Sequence, residues 1–211
     1  MCIRDSVIIA TEDSTIAMGG PAMIEGGGLG IYTPEEVGPM SFQVPNGVVD
    51  ILVENEAEAV RVAKQYLSYF QGSISTWKAA DQRKLRHLVP ENRLRLYDMR
   101  EIISTIADRE SVLEIRAGFG VGVITCFIRV EGKAVGVIAN NPHHLAGAID
   151  SDAADKGTRF IQLCDAFDIP ILSLMDCPGM MVGPEVEATA LVRHCVRMFN
   201  AGANLTTPLF G

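Results

Sequence analysis

Positive charge is scarce in this chain of 211 residues. Eighteen Lys and Arg stand against 26 Asp and Glu, giving a formal net charge of −8 and a sequence pI near 5.0. That balance excludes a nucleic-acid binder that works through bulk charge, since such a protein needs a basic surface to displace counterions. Long hydrophobic runs are missing as well. None approaches the ~20 apolar residues that a membrane-spanning helix requires. The 5 Cys are odd in number and widely spaced, with no Cys-x-x-Cys. A disulfide scaffold is therefore excluded, and the cysteines read as reduced thiols of a cytoplasmic protein. The 4 His (His87, His143, His144, His194) pair with no Cys or carboxylate at zinc-site spacing, so no metal is expected. No signal-peptide pattern opens the chain.

Other motifs fail on inspection. The glycine clusters are followed by no Gly-Lys-Ser/Thr, which rules out a P-loop. Gly26-Gly27-Gly28-Leu29-Gly30 runs into Ile31 with no fresh helix start, so it is not a dinucleotide fingerprint. No Gly-x-Ser-x-Gly elbow is present. Cys177 with His194 leaves a cysteine–histidine nucleophile open, against the commoner role of a buried core thiol.

What the chain does have is apolar bulk and glycine. Hydrophobic residues make up 48% and there are 20 Gly. The first figure is enough for a packed core and too high for disorder. The length fits one large or two small domains. Residues 7–11 predict a buried strand, 18–30 a glycine-dense loop, and 41–53 an irregular stretch ending in β structure. Asn55 caps a helix with Glu58 three residues on, and its buried stripe is Val60, Ala63, Leu67 and Phe70. The polar, basic stretch 73–90 reads as a linker. Asp98 caps a second helix, with Met99, Ile102, Ile103 and Ile106 inside. Residues 123–130 and 134–139 form a hairpin. A loop over 140–152 leads to a helix burying Phe160, Leu163, Cys164 and Phe167. A strand over 171–175, a turn at Asp176-Cys177-Pro178-Gly179, and a helix from about Glu185 follow. That last helix carries Ala188, Leu191, Val192, Cys195 and Phe199 on one face. A final strand begins near Leu205. Strands alternating with helices imply an α/β fold with a largely parallel sheet.

Three glycine-rich loops, 18–30, 140–148 and 176–183, are the candidate functional features. Glycine lets peptide N–H groups approach a ligand without side chains in the way. Such loops suit an oxyanion hole, where paired donors stabilise charge developing on a carbonyl oxygen.

These segments carry a resemblance. Gly19-Gly20-Pro21-Ala22-Met23-Ile24-Glu25-Gly26-Gly27-Gly28-Leu29-Gly30 and Pro34-Glu35-Glu36-Val37-Gly38-Pro39 resemble biotin-dependent acyl-CoA carboxyltransferases. So do Val137-Ile138-Ala139-Asn140-Asn141-Pro142, Gly147-Ala148-Ile149-Asp150, Ala154-Asp155-Lys156, Arg159-Phe160-Ile161-Gln162-Leu163-Cys164-Asp165 and Asp176-x-Pro178-Gly179-x-x-x-Gly183. The resemblance implies a crotonase-like ββα spiral in two partial domains. Residues 7–80 would close the N-terminal subdomain and 81–211 would open the C-terminal one. It implies that carboxybiotin, on a biotin carboxyl carrier protein, gives its carboxyl group to the α-carbon of a short acyl-CoA through an enolate. The biotin ureido group takes the α-proton, and backbone amides hold the thioester and ureido oxygens.

Residue by residue, Gly147 and Ala148 match a loop supplying oxyanion amides. Gly179, Met180 and Gly183 line the same pocket, and Asn140 and Asn141 shape the strand end. Gly19, Gly20 and Pro21 lie beside acyl-CoA. Asp155 and Lys156 read as an exposed pair at a helix start. The implied partners are the carrier protein, a biotin carboxylase component and further copies of the chain. No membrane is expected unless the protein is a subunit of a sodium-pumping acyl-CoA decarboxylase. A non-catalytic crotonase-like scaffold is the third reading. Both chain ends read as cuts within structure, so we expect a segment of a longer protein, inactive by itself, with Met1-Cys2-Ile3-Arg4-Asp5-Ser6 a junction.

Overall fold

The structure is a computed structural model and describes residues 7–92 and 94–211. The junction expected at residues 1–6 lies outside the described residues. The chain divides into two compact units, the first ending at Lys64 and the second Gln65–Gly211.

In the first unit, strands β1 (Ile9–Thr11) and β2 (Ile51–Val53) pair in parallel, Ile9 opposite Ile51. Ala10, Met40 and Val49 form its small core, with Ile8, Ile16 and Val44 packed against them. Gly38 is required there, because a β-carbon on it would sit 2.0 Å from the Ile16 carbonyl oxygen. The segment expected as a glycine loop instead contains a short helix, α1 (Pro21–Gly26). Gly20 is its N-cap and Pro21 its first residue, a position where the missing N–H costs nothing. Helices α2 (Pro34–Val37) and α3 (Met40–Gln43) follow, the former with a complete capping box between Thr33 and Glu36.

The division between units falls inside helix α4 (Glu56–Ser68) and not in the basic 73–90 stretch. Asn55 Oδ1 accepts from the Glu58 N–H at 3.0 Å, as its cap spacing predicts. The buried stripe, however, is one residue out of register with the expected one. Val60 and Leu67 are exposed, whereas Val62 and Tyr69 are buried. The aromatic rings decide this: Tyr66, Tyr69 and Phe70 all pack on Phe127 of the second unit. They offer more apolar area than Val60 or Leu67. Ser68 and Gly72 then give their carbonyls to the buried Arg129. These contacts draw the chain from Gln65 onward into the second unit.

That unit is built on a five-stranded sheet in the order β3-β4-β5-β6-β7. The strands are β3 (Leu113–Ile115), β4 (Val123–Val130), β5 (Lys133–Asn140), β6 (Ile171–Leu174) and β7 (Leu209–Phe210). The first three are antiparallel; β5, β6 and β7 run parallel. Every residue of β4 except Val130 is buried, which explains a strand that reads as one apolar run without alternation. The β4–β5 turn is Glu131-Gly132, with φ of 50° and 77°. Two left-handed residues make the turn that matches strand twist. Asp108 clasps it by accepting from the Gly132 N–H at 2.7 Å, and Arg129 donates to the Gly132 carbonyl at 2.5 Å.

Helix α5 (Leu85–Leu88) precedes α6 (Met99–Ile106), which Asp98 caps as expected. Met99 and Ile103 of α6 pack with Ile124, Cys126, Ile128, Val137 and Ala139. The opposite sheet face meets α7 (Ser151–Ala166), where Phe127 lies 5.1 Å from the Phe160 ring. Gly136 is needed for that approach, since a β-carbon on it would come within 2.5 Å of Cys164 Sγ. Lys156, expected at the surface beside Asp155, is 1% exposed. Burial pulls its pKa down to about 8. Phe167, expected inside, is 49% exposed.

The last expected helix is two, α8 (Pro184–Glu187) and α9 (Leu191–Ala203), broken at a left-handed Ala190. Thr189 stands beside the break. Its hydroxyl bonds back to the Val186 carbonyl at 2.7 Å and meets Ser151 Oγ at 2.5 Å. Leu191 and Cys195 form the buried face of α9, while Val192 and Phe199 are exposed. No described helix is long and apolar enough to cross a membrane.

Candidate functional site

Two of the three glycine loops meet at the strand ends of the second unit. The first follows β5. Asn140 and Asn141, at its start, are buried and act as struts. Asn140 Nδ2 donates to the Gly147 carbonyl at 2.8 Å, and Asn141 Nδ2 to the Val121 carbonyl at 2.9 Å. Between them and α7 the backbone is left-handed at three successive residues, Leu145, Ala146 and Gly147, with φ of 48°, 50° and 83°. For a residue with a β-carbon this conformation costs about 1–2 kcal/mol, so the struts hold a strained turn. Asp150 ends the loop, capping α7 through the Ala153 N–H at 2.9 Å and meeting His144 Nε2 at 3.1 Å.

The second loop follows β6 and has no hydrogen-bonded turn at 176–179, where one is expected. Asp176 accepts from the Tyr97 hydroxyl at 2.6 Å. Desolvation first, and the Asp176 carboxylate second, push the Tyr97 pKa up to about 12. Sequence reasoning passed over Tyr97, because nothing local links it to a residue 79 positions away.

A parallel bridge joins the two loops. The Ile149 N–H donates to the Gly179 carbonyl at 3.1 Å, and the Met181 N–H donates to the Ile149 carbonyl at 2.9 Å. In such a bridge the residue between the two bonded ones points its own N–H away from the partner. That residue is Met180. The N–H groups of Gly179 and Met180 donate to no acceptor among the described residues. Gly147 and Ala148 differ: their N–H groups are spent inside the loop, on the carbonyls of His144 at 2.8 Å and Leu145 at 3.0 Å.

The space in front of the second loop is open. A β-carbon built on Gly179 or Gly183, at φ of 120° and 125°, would meet no atom within 4 Å. Two unpaired amides beside open space suit a planar carbonyl or ureido oxygen, which accepts two N–H groups without needing a charged side chain.

His194 does not face Cys177. Its Nδ1 lies 2.8 Å from Asp155 Oδ2, out of line for a hydrogen bond, so the contact is electrostatic and counts when the ring is protonated. Cys177 is exposed, against the core position expected of a thiol, while Cys126, Cys164 and Cys195 are buried. Among the described residues no group of three or more His, Cys, Asp and Glu is placed to hold a metal ion. Gly19, Gly20 and Pro21 sit in the first unit, at the start of α1, near the fully exposed Met18.

Comparison with known proteins bears on these loops. The family model described as the carboxyl transferase domain matches residues 2–211. The propionyl-CoA carboxylase beta chain of Cereibacter sphaeroides is 34% identical over 98% of this chain and 42% of its own length. The methylmalonyl-CoA decarboxylase subunit alpha of Veillonella parvula is 31% identical with the same coverage. Among solved structures, a single-chain, multi-domain long-chain acyl-CoA carboxylase superposes with a TM-score of 0.95 at 57% identity. It is matched over 97% of this chain and 20% of its own. Transcarboxylase 12S, solved as a hexamer with methylmalonyl-CoA bound, gives 0.83 at 29% identity over 96% of this chain and 42% of its own. The chain thus spans about 40% of the length of the curated relatives it matches. The fold is the crotonase-like α/β fold of those structures.

Proposed function

The chain belongs to the carboxyl transferase domain family, and on that premise we propose that it is part of the carboxyltransferase of a biotin-dependent acyl-CoA carboxylase. The whole protein moves a carboxyl group from carboxybiotin, carried on a biotin carboxyl carrier protein, to the α-carbon of an acyl-CoA. The observation that carries this reading is the bridged pair of loops, in which the Gly179 and Met180 N–H groups donate to no acceptor among the described residues and Gly179 has open space beside it.

When bound, carboxybiotin supplies the carboxyl group and, through its ureido nitrogen, the base for the α-proton. The chain's own residues bind and orient. Gly179 and Met180 donate to the ureido oxygen. Gly183 keeps the approach free of side chains. Gly147 and Ala148 form the opposite wall, and Asn140 and Asn141 fix its height above the sheet. No side-chain acid or base is needed in this scheme, which agrees with a site made of backbone. Gly19, Gly20 and Pro21 serve the acyl-CoA side. The first unit is then the end of the acyl-CoA subdomain, and the second the beginning of the biotin subdomain.

The 57% identity with a long-chain acyl-CoA carboxylase favours a long acyl group over the short one expected from the resemblance. A cytoplasmic homo-oligomer working with a biotin carboxylase component completes the reading. The test uses the complete protein that carries this segment. It is supplied with carboxylated carrier protein and a panel of acyl-CoAs from acetyl to palmitoyl. Transfer of labelled carboxyl to acyl-CoA is expected, with kcat/KM rising with chain length. No transfer to any acyl-CoA overturns the function; a maximum at acetyl- or propionyl-CoA overturns the chain-length assignment.

A further inference from the structure

The two donor amides of the second loop are held from opposite sides of Gly179. The Met180 N–H shares one planar peptide with the Gly179 carbonyl, which accepts from the Ile149 N–H at 3.1 Å, so the bridge between the loops sets its direction. The Gly179 N–H belongs to the preceding peptide, whose carbonyl is that of Pro178. Neither end of that peptide is hydrogen-bonded among the described residues. Gly179 stands between the two planes at φ 120°, with open space where a β-carbon would be. It is a swivel, and the bridge leaves the first plane free to turn on it.

The other restraint comes from upstream. The pairing of β6 with β5 ends at Leu174. Among the described residues, 176–178 make no backbone hydrogen bond, and their one side-chain hydrogen bond is at the root of the loop. There Asp176 Oδ2 accepts from the Tyr97 hydroxyl at 2.6 Å. Tyr97 is a firm post. Its ring packs against the core that α6 shares with β4 and β5. The next residue, Asp98, caps α6 by accepting from the Arg100 N–H at 2.9 Å. With a pKa pushed up to about 12, the phenol remains a donor at neutral pH. Between root and bridge, Pro178 has its φ locked and confines Cys177 to extended backbone. With both ends fixed, the few free torsions left close on one arrangement of the Pro178–Gly179 peptide. With the Asp176 end released, that plane turns.

We infer that Tyr97 is a positioning residue for the biotin side of the site: by anchoring Asp176 it fixes the direction of the Gly179 N–H, as the loop bridge fixes that of Met180. The anchoring rests on geometry alone. Its functional consequence rests on the carboxyltransferase reading.

The experiment compares the complete protein with its Tyr97→Phe, Asp176→Ala, Asp176→Asn and Tyr97→Phe/Asp176→Ala variants. A nitroxide on the exposed Cys177 reports motion between root and bridge by its line shape, other accessible cysteines being replaced by serine. In unlabelled protein, KM is measured separately for the carboxylated carrier and for acyl-CoA. Tyr97→Phe and Asp176→Ala should free the nitroxide and raise the carrier KM about fivefold, leaving the acyl-CoA KM within about twofold, as for one hydrogen bond lost beside one ligand. Asp176→Asn, which keeps an acceptor oxygen, should lie closer to the unaltered protein. The double variant should be no worse than the more affected single one, as for two residues that act through one contact. An unchanged line shape in Tyr97→Phe overturns the inference. So does a carrier KM that rises no more than the acyl-CoA KM, and so do strictly additive effects. If the nitroxide is freed but the unaltered protein transfers no carboxyl groups, the anchoring holds and the functional reading falls.

Discussion

The carbonyl oxygen of Asp176 lies 2.6 Å from the point that a β-carbon on Gly147 would occupy. The two loops touch at a place where only glycine fits, and Gly147 is left-handed there at φ 83°. Gly147→Ala should therefore cost at least about 2 kcal/mol, from clash and backbone strain together. Gly202, inside α9 with no atom within 4 Å of its would-be β-carbon, is the control. Gly202→Ala should gain about 0.5–1 kcal/mol. Denaturation midpoints at constant slope measure both.

Tyr97 and Asp176 predict a displaced tyrosine titration. Desolvation, followed by the hydrogen bond to Asp176, raises Tyr97 from 10.0 to about 12. A raised pKa means that the folded state favours the protonated phenol. The associated stability is fully present below pH 10 and is lost as pH climbs through about 12. Tyrosinate absorbance should show late titration from both Tyr97 and the buried Tyr69, of which Tyr97→Phe removes one part. In Asp176→Asn that titration should come earlier. An unmoved curve in Asp176→Asn contradicts the assignment.

Lys156 predicts the opposite slope. Burial holds its folded pKa near 8, against 10.5 for an ordinary lysine. Between those values the unfolded chain carries a proton that the folded chain has shed, so stability rises with pH across the window. Below it the buried amine is a standing penalty. Lys156→Met should stabilise the protein at pH 7 by about 2 kcal/mol. The gain should fade between pH 8 and 10.5. Thermal unfolding across that range gives the answer.

Phe127 predicts a core defect felt on both sides of the second unit's sequence. Its ring is fully buried and lies within 6.0 Å of the Tyr66, Tyr69, Phe70 and Phe160 rings. Phe127→Ala should cost about 3–5 kcal/mol, and Phe127→Leu distinctly less. If the first is nearly neutral, residues from Gln65 onward are not anchored as described.

Much of this fold was legible locally. The Asp98 cap, the Asn55 cap and the β4–β5 hairpin each depend on residues within a few positions of one another, and each stands as expected. The errors share a cause, which is distance along the chain. Lys156 looks like half of a surface pair until β4 covers it. The α4 stripe shifts by one residue because Phe127 attracts Tyr66 and Tyr69. The break at Ala190 lies beside Thr189, whose hydroxyl meets Ser151 from 38 residues away. At the site, the glycines marked two loops that the structure brings together, but not which amides are free. Gly147 and Ala148 spend theirs on local carbonyls, whereas the bridge to Ile149 leaves that of Met180 turned outward. Only the pairing of two segments some thirty residues apart decides that.

The clasped Glu131-Gly132 turn also orders events in time. Its two strands are neighbours in sequence, so the β4–β5 hairpin closes at little entropic cost and on the scale of microseconds. The meeting of the 140s loop with the 176–183 loop must wait until α7 and β6 have been laid down between them. The pocket thus forms after the hairpin. A chain just off the ribosome, or one recovering from mild heat, would regain the β4–β5 hairpin before its two glycine loops met again.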